Sequence, residues 1–136
     1  MRSTETAVWY LQEYLQMNKK TVVLGASPNP ARYSYLAVNR LLAHGHDVVA
    51  VGKRKGSING QEVITEHPPL SDVDTITLYL NAENQKQYYD YILSLHPRRI
   101  IFNPGAENAE LAGLAKQNNI QPMEACTLVL LSTGQY

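Results

Sequence analysis

The chain has 136 residues, with twelve Lys and Arg against twelve Asp and Glu, and a single cysteine. This length is typical of one domain, the balanced charge excludes a general basic surface for nucleic acid, and one cysteine excludes an internal disulfide. No apolar run reaches the roughly 18 residues that cross a bilayer, and the N-terminus does not resemble a signal peptide, so we expect a soluble cytoplasmic protein.

Predicted helices and strands alternate along the chain. Residues 4–18 favour an amphipathic helix, with Leu11 and Leu15 at helical spacing and Ser3 or Thr4 as its cap. We expect this N-terminal helix (residues 1–18) to pack on the domain that residues 19–136 form. Strands are predicted at 21–24, 48–51, 73–80, 99–102 and 120–124, helices at 34–44, 83–95 and 107–118, and a further short strand around 61–63 is left open within the irregular segment 52–71.

Several of the predicted strands are continuous apolar runs, of which Val48–Val51 is one. Such runs are typical of a parallel sheet that is covered on both faces, and right-handed crossovers then give a doubly wound arrangement. We therefore expect an α/β domain with three α/β/α layers, a mainly parallel five-stranded Rossmann-like sheet and an extra N-terminal helix. The tail after Cys126 carries Leu128–Leu131, which should pack on this domain.

The loop after the first strand has the composition of an anion site, and ligands of open α/β sheets bind at this edge. Gly25 and Ala26 allow close approach, Ser27 and Ser34 offer hydroxyls that could also cap the next helix, and Arg32 offers a charged fork. The loop lacks both G-x-G-x-x-G and the Gly-Lys-Ser/Thr ending of a P-loop, so an ordinary strand-to-helix connection is the alternative. The predicted contacts are Gly25, Ala26, Ser27, Pro28, Asn29, Pro30, Arg32 and Ser34.

The second predicted strand ends in a basic segment. NAD-binding domains usually place an acid here to hold the ribose, whereas this chain has Gly52, Lys53 and Arg54, followed by Lys55. Cations at this position favour a ribose that carries a phosphate, as NADP does at the 2′ position and coenzyme A at the 3′ position. A solvated surface loop is the alternative interpretation.

Two further segments follow predicted strands at the same edge of the sheet. Tyr79, Leu80 and Asn81 end the third predicted strand and could wall an adenine pocket, although Leu80 is equally consistent with plain core. The segment 103–108, with Asn103, Pro104 and Gly105 as its predicted contacts, could close over the far end of a ligand or simply cap a helix.

Residues suited to catalysis or metal binding do not form a recognisable set. Cys126 has no base or cation beside it in sequence, and the histidines have no partners at ligand spacing. No serine lies in a nucleophile elbow. We therefore expect no catalytic residue and no metal site.

Several stretches of the chain follow the pattern of a known family. They are Gly25-Ala26-Ser27, Pro30, Arg32-Tyr33-Ser34, Leu41-Leu42, Gly45, Val48–Val51, Asp74, Pro104-Gly105 and Cys126. With these residues the chain, over about residues 19–130, resembles the small bacterial CoA-binding domain proteins. These are similar to the nucleotide-binding domain of the succinyl-CoA synthetase α subunit.

The resemblance implies a CoA-binding Rossmann-like domain over residues 19–136. It assigns the phosphates to Gly25, Ala26, Ser27, Arg32 and Ser34, and the ribose phosphate to Lys53. Family members often have proline soon after the second strand, where this chain has Gly52-Lys53-Arg54. The synthetase also needs a second domain with a phosphorylated histidine, which this chain lacks, so its reaction is not carried over.

Three functions remain open from the sequence. The first is a stand-alone module that binds CoA or acyl-CoA, non-catalytic or regulatory, acting as a homo-oligomer or with an enzyme partner. The second is an NADP-binding oxidoreductase or redox sensor, which the same loops would suit. The third is an interaction domain with a vestigial nucleotide pocket.

Overall fold

The computed structural model describes residues 4–136, except for the side chains of residues 11–17. The strands are β1 (Thr21–Leu24), β2 (Val48–Val51), β3 (Gly56–Ile58), β4 (Gln61–Ile64), β5 (Thr75–Leu78), β6 (Arg99–Phe102) and β7 (Gln121–Glu124). The helices are α1 (Thr4–Met17), α2 (Tyr33–Ala43), α3 (Ala82–Gln85), α4 (Tyr89–Ser94), α5 (Ala109–Gln117) and α6 (Thr127–Ser132), with a 3₁₀ turn at Lys86–Tyr88. The predicted cap at Ser3 and the packing of Leu11 and Leu15 lie outside the described residues.

The strands form one seven-stranded sheet in the order β3-β4-β2-β1-β5-β6-β7. Every neighbouring pair is parallel except β3 and β4, and β1 lies at the centre, with Thr21 opposite both Val48 and Thr75. The chain leaves β1 toward β2 on one side and later reaches β5 on the other. The predicted doubly wound α/β class is therefore confirmed.

The predicted count of five strands is wrong, because β3 and β4 form a hairpin within the segment 52–71. Its turn is Asn59-Gly60, and both residues have positive φ, 48° and 83°. This is the backbone of a two-residue hairpin turn, for which Asn-Gly is the favoured sequence. The strands are short and mostly polar, so the apolar pattern gave no signal for β3. The Asn-Gly pair is the signal from which the hairpin could have been predicted.

Two apolar layers cover the sheet, as the alternation of side chains along β1 requires. Val22 and Leu24 face the layer that includes Ile92 of α4 and Leu111 of α5. Val23 faces the opposite layer, whose helical members are Val38 and Leu41 of α2 and Leu131 of α6. The result is the expected three-layer arrangement.

Some predicted elements are shorter or interrupted in the structure. The strand predicted at 73–80 is reduced to β5, because the chain turns after Leu78 and Asn81 caps α3 with its side chain. The helix predicted at 83–95 is divided by the 3₁₀ turn into α3 and α4. In the tail, Leu131 is buried as expected, while Val129 of α6 is exposed.

Helix α1 agrees with the helix predicted for residues 4–18. Its Val8, Trp9 and Tyr10 are 48%, 56% and 45% exposed, so its packing on the domain stays a prediction. Within residues 4–136, no helix has both the length and the apolar character that crossing a membrane requires.

Candidate functional site

A cavity of about 460 Å³ lies at the carboxyl ends of β1, β2, β5 and β6. It is bordered by Gly25, Ala26, Ser27, Pro28, Asn29, Arg32, Tyr33, Ser34, Lys53, Arg54, Leu78, Tyr79, Leu80, Asn81, Asn103, Pro104, Gly105 and Ala106. The structure thus brings together all the predicted site residues except Pro30 and Gly52. Three bordering residues were not among the predicted contacts. Tyr33 and Ala106 lie within segments that the sequence pointed to, and Leu78 lies directly before Tyr79.

Two glycines allow the first loop to pack tightly against its neighbours. Gly25 has a φ of +91°, and a Cβ there would stand 2.8 Å from Cγ of Leu80 and 2.9 Å from the carbonyl oxygen of Tyr79. A Cβ on Gly52 would overlap the carbonyl oxygen of Ala26. Gly52 therefore lies buried beneath the loop, which explains why it does not border the cavity.

The loop is anchored to β2 through its first two residues. The backbone N–H groups of Gly25 and Ala26 both donate to the carbonyl oxygen of Val51, each at 2.9 Å. Because these two N–H groups already donate to the sheet, they are not available to a ligand. A ligand can still approach the backbone of Gly25 and Ala26 closely, but without hydrogen bonds from these groups.

The rest of the loop also satisfies its own N–H groups. Ser27 N–H donates to Ser34 Oγ at 3.1 Å, and Asn29 N–H donates to Ser27 Oγ at 3.2 Å. Ala31 and Arg32 donate their N–H groups to the side-chain and backbone oxygens of Asn29, both at 3.0 Å. Because the two prolines have no N–H, the loop has no backbone donor left for a ligand before α2 begins.

Helix α2 begins at the cavity without a side-chain cap. Arg32 is the N-cap residue in an extended conformation, and its side chain makes no capping hydrogen bond. The expectation that Ser27 or Ser34 caps this helix is wrong, because Ser34 lies inside the first turn and its hydroxyl accepts from the loop. The N–H groups of Tyr33 and Ser34 lie in the first turn of the helix, where no backbone carbonyl of the helix can accept from them. Together with the partial positive charge of this helix end, they suit an anion.

Asn103 shapes the opposite wall from a buried position. Its Nδ2 donates to Thr77 Oγ1 at 2.7 Å and to the carbonyl oxygen of Leu78 at 2.8 Å, while its Oδ1 accepts from the Thr127 N–H at 2.9 Å. The side chain is 3% exposed. Its polar atoms hold β5, β6 and α6 together, so Asn103 presents surface to the cavity without a free hydrogen-bonding group.

Asn81 and the segment after β6 form the rim of this wall. Asn81 Oδ1 accepts from the Asn84 N–H at 2.9 Å. The Nδ2 group of this exposed side chain can still donate to a ligand. Pro104 and Gly105 form a turn that the Ala106 N–H closes onto the carbonyl oxygen of Asn103 at 2.8 Å.

A buried glutamine, which sequence reasoning missed, connects the two rim segments. Gln85 Nε2 donates to the carbonyl oxygens of Leu80, at 2.8 Å, and Ala106, at 2.7 Å. Its Oε1 accepts from Asn108 Nδ2 at 2.9 Å, and Asn108 in turn caps α5 by accepting from the Leu111 N–H. Nothing in the local pattern distinguishes Gln85 from an exposed helical residue.

Charge is divided unequally between the two halves of the cavity. Arg32, Lys53 and Arg54 border it on the side of β1 and β2, and all three are exposed. The residues that border it after β5 and β6 are uncharged, and no Asp or Glu lies among the bordering residues. The carboxylate of Glu107, just outside, accepts from the Gly105 N–H. The cavity is therefore cationic at one end and neutral at the other.

Tyr79 forms part of the wall with a hydroxyl group that has no hydrogen-bond partner. It is the one buried side-chain polar atom in this condition within the described part of the chain. Burial, with a smaller contribution from nearby Cys126, raises the pKa of Tyr79 well above its ordinary value, although the neighbouring side chains of Thr127 and Thr77 oppose this shift. The phenol therefore stays protonated at neutral pH, which makes it unsuited to act as a base.

Metal-binding clusters are not found among residues 4–136, where no group of three or more His, Cys, Asp or Glu side chains could hold an ion. Cys126 is half-buried and precedes α6. It does not border the cavity.

Comparison with known proteins gives one family and several similar structures. The family model described as CoA binding domain matches residues 19–132. A crystal structure of an uncharacterized protein is 51% identical, covers 88% of this chain and 98% of its own, and has a TM-score of 0.86. No curated protein matches the chain.

Two more distant structures share the fold. A hypothetical protein from Pyrococcus horikoshii OT3 is 21% identical, with coverage of 92% of this chain and 89% of its own and a TM-score of 0.75. A protein from Thermus thermophilus is 19% identical, with coverage of 94% and 98% and a TM-score of 0.77.

Proposed function

The chain belongs to the CoA-binding domain family, and from that premise we propose that it is a cytoplasmic, stand-alone module that binds coenzyme A, free or acylated, without catalysing a reaction. Its main partner would be this small molecule. A second copy of the chain, or an enzyme that uses the ligand, would be a further partner.

The division of charge in the cavity carries this proposal. Coenzyme A has a nucleotide end with phosphates on its ribose and between its two halves, and a pantetheine arm without charge. Arg32, Lys53 and Arg54 suit the phosphates, and the neutral walls beyond β5 and β6 suit the arm. Because the whole chain has no net charge, the local excess of cations is the electrostatic attraction available to such a ligand.

The extent of the cavity also fits an elongated ligand. It runs along the ends of β2, β1, β5 and β6, which are consecutive in the sheet. Three strand spacings of about 4.8 Å give roughly 14 Å between the first and the last of these strands. A ligand can therefore place its ribose phosphate at Lys53 and extend its arm toward Pro104.

The chemistry of the bordering residues favours binding over catalysis. Apart from the three cations, the titratable residues that border the cavity are Tyr33 and Tyr79, and the pKa of Tyr79 is raised by burial. General acid–base catalysis needs a group that exchanges a proton near neutral pH. The bordering set contains no His, Cys, Asp or Glu that would serve.

Calorimetric titration with CoA, dephospho-CoA and NADPH tests the proposal. We expect CoA to bind, dephospho-CoA to bind about tenfold more weakly for want of a charge-assisted contact, and NADPH to bind less well than CoA. The Lys53→Ala variant should lose the preference for CoA over dephospho-CoA. Lys55→Ala is the matched control, because Lys55 is a neighbouring exposed cation that does not border this cavity.

The possible results separate the functions that the sequence left open. Tighter binding of NADPH than of CoA would instead support a redox protein. Absence of binding by all three ligands would support an interaction domain with a vestigial pocket. Equal affinity for CoA and dephospho-CoA would contradict the role given to Lys53.

A further inference from the structure

A fully buried glutamine lies behind the neutral half of the cavity. Gln85 is 0% exposed, although a buried amide is costly unless its hydrogen bonds are satisfied. Its Nε2 donates both hydrogens, one to the carbonyl oxygen of Leu80 and one to that of Ala106. These carbonyls belong to the two segments that border the cavity after β5 and after β6.

The acceptor side of the same amide is fixed as well. Asn108 Nδ2 donates to Gln85 Oε1 at 2.9 Å and to the hydroxyl oxygen of Tyr89 at 2.8 Å. Asn108 also caps α5 through its Oδ1, which accepts from the Leu111 N–H at 3.1 Å. The amide of Gln85 is thereby held from α4 and α5 while it holds the two segments.

We propose that Gln85 is a positioning residue that sets the width of the neutral half of the cavity and so controls how tightly the pantetheine arm is bound. This inference rests on the proposed function, in which the arm lies along the neutral walls that follow β5 and β6. Without the two bonds from Nε2, the segments carrying these residues can separate, and the arm then loses contact with one of its walls.

The nucleotide end of the ligand should be insensitive to Gln85. The cations that suit this end, Arg32 and Lys53, lie on the loops that follow β1 and β2. The first loop is held by the Val51 carbonyl and by Asn29, and the second begins with the Gly52 N–H, which donates to the carbonyl oxygen of Ile64 at 3.0 Å. Gln85 makes no hydrogen bond to either loop. A change at Gln85 should therefore weaken binding of the pantetheine arm and leave binding of the nucleotide end unaffected.

The test compares Gln85→Met with the wild-type protein by calorimetry at a temperature where both are folded. Methionine has a similar length and provides no donor. We expect affinity for CoA and for 4′-phosphopantetheine to fall about tenfold, and affinity for adenosine 3′,5′-bisphosphate to stay within about twofold, because only the arm depends on the wall. Gln87→Met is the matched control, since Gln87 is exposed on the same stretch of chain.

A second variant applies if Gln85→Met does not fold. Asn108→Asp keeps the oxygen that caps α5 and removes the Nδ2 donor to Gln85 Oε1. It should weaken 4′-phosphopantetheine more than adenosine 3′,5′-bisphosphate, and binding of the bisphosphate reports that the first half of the site is intact.

Failure of this inference is distinguishable from failure of the proposed function. If wild-type protein does not bind CoA, the function is wrong and the positioning role with it. If wild-type protein binds CoA but Gln85→Met leaves all affinities unchanged, or lowers those of both fragments equally, Gln85 is only a structural residue.

Discussion

The carbonyl oxygen of Ala26 fills the space that a side chain on Gly52 would occupy. Ala26 lies two residues after β1 and Gly52 directly after β2, so this contact joins the ends of two paired strands beneath the candidate phosphate loop. The contact is between two backbone segments, and neither can move aside as a flexible side chain would.

Replacing Gly52 with Ala should therefore disturb both stability and binding. We expect the free energy of unfolding to fall by about 1–3 kcal/mol, as for other overpacked sites, and CoA affinity to fall with it because the loop must shift. Urea unfolding and calorimetry measure the two effects. The matched control is Gly113→Ala in α5, where a Cβ meets nothing within 4 Å and should stabilise the helix; a similar result for both variants would contradict the close contact at Gly52.

Arg32 should contribute to binding and not to folding. Its side chain borders the cavity but makes no capping hydrogen bond to α2. Arg32→Ala should weaken CoA binding by about 1.5–3 kcal/mol, as expected for a charge-assisted contact, and leave the free energy of unfolding nearly unchanged. Arg32→Lys should recover only part of the loss, because an ammonium group lacks the two-pronged geometry. Unaltered affinity in Arg32→Ala would remove this residue from the site.

Removal of the Tyr79 hydroxyl should stabilise the protein. That hydroxyl is buried without a partner, so Tyr79→Phe relieves a desolvation penalty of about 1 kcal/mol. Tyr91→Phe is the matched control, because the Tyr91 hydroxyl donates to the carbonyl oxygen of Pro68 at 2.7 Å and its loss should destabilise. The two variants should shift the urea midpoint in opposite directions, and shifts of the same sign would argue against the assignment at Tyr79.

His46 should make the protein less stable in mild acid. Burial lowers the pKa of His46 below its ordinary value of 6.5, and Lys19, His44 and Arg99 lower it further, while Asp74 opposes them. Its Nδ1 accepts from the Lys19 N–H at 2.9 Å, which a protonated ring cannot do. Because the unfolded chain then binds the proton more readily, stability is full above pH 6.5 and falls as the pH decreases toward the folded-state pKa.

Unfolding measured between pH 7.5 and pH 5 checks this expectation. His46→Gln should lower stability at neutral pH and flatten the dependence below about pH 6.5. His44→Gln, which alters an exposed imidazole, should keep most of the slope. A wild-type protein whose stability does not change across this range would refute the assignment.

The sheet was predictable where its strands are apolar. Thr21–Leu24 and Val48–Val51 are short runs of mostly β-branched and apolar residues, and their positions at the centre of a doubly wound sheet follow from that pattern. The edge strand Gly56–Ile58 was not predictable in this way, because Ile58 is its one buried residue and the Asn59-Gly60 turn sets its pairing with β4.

The candidate site was predictable in position more than in detail. The rule that ligands bind at carboxyl ends of strands located the loop at Arg32 and the segment at Lys53. The roles of Asn103 and Gln85 depend on hydrogen bonds to residues 21 to 26 positions away, which local sequence does not encode. Gly52 was predicted as a ligand contact at the end of the second strand. Its position is right, but its role in the structure is to make room for the Ala26 carbonyl.

The loop between β1 and α2, whose N–H groups are all hydrogen-bonded within the protein, also has a kinetic consequence. Since Ser27, Asn29 and Ser34 already hold it in one conformation, a ligand meets a preorganised surface and little chain has to be ordered on binding. Association should then proceed as a single diffusional step, accelerated by the exposed cations and slowed by salt. Variants of the site should consequently differ in how long the ligand stays and only slightly in how fast it arrives.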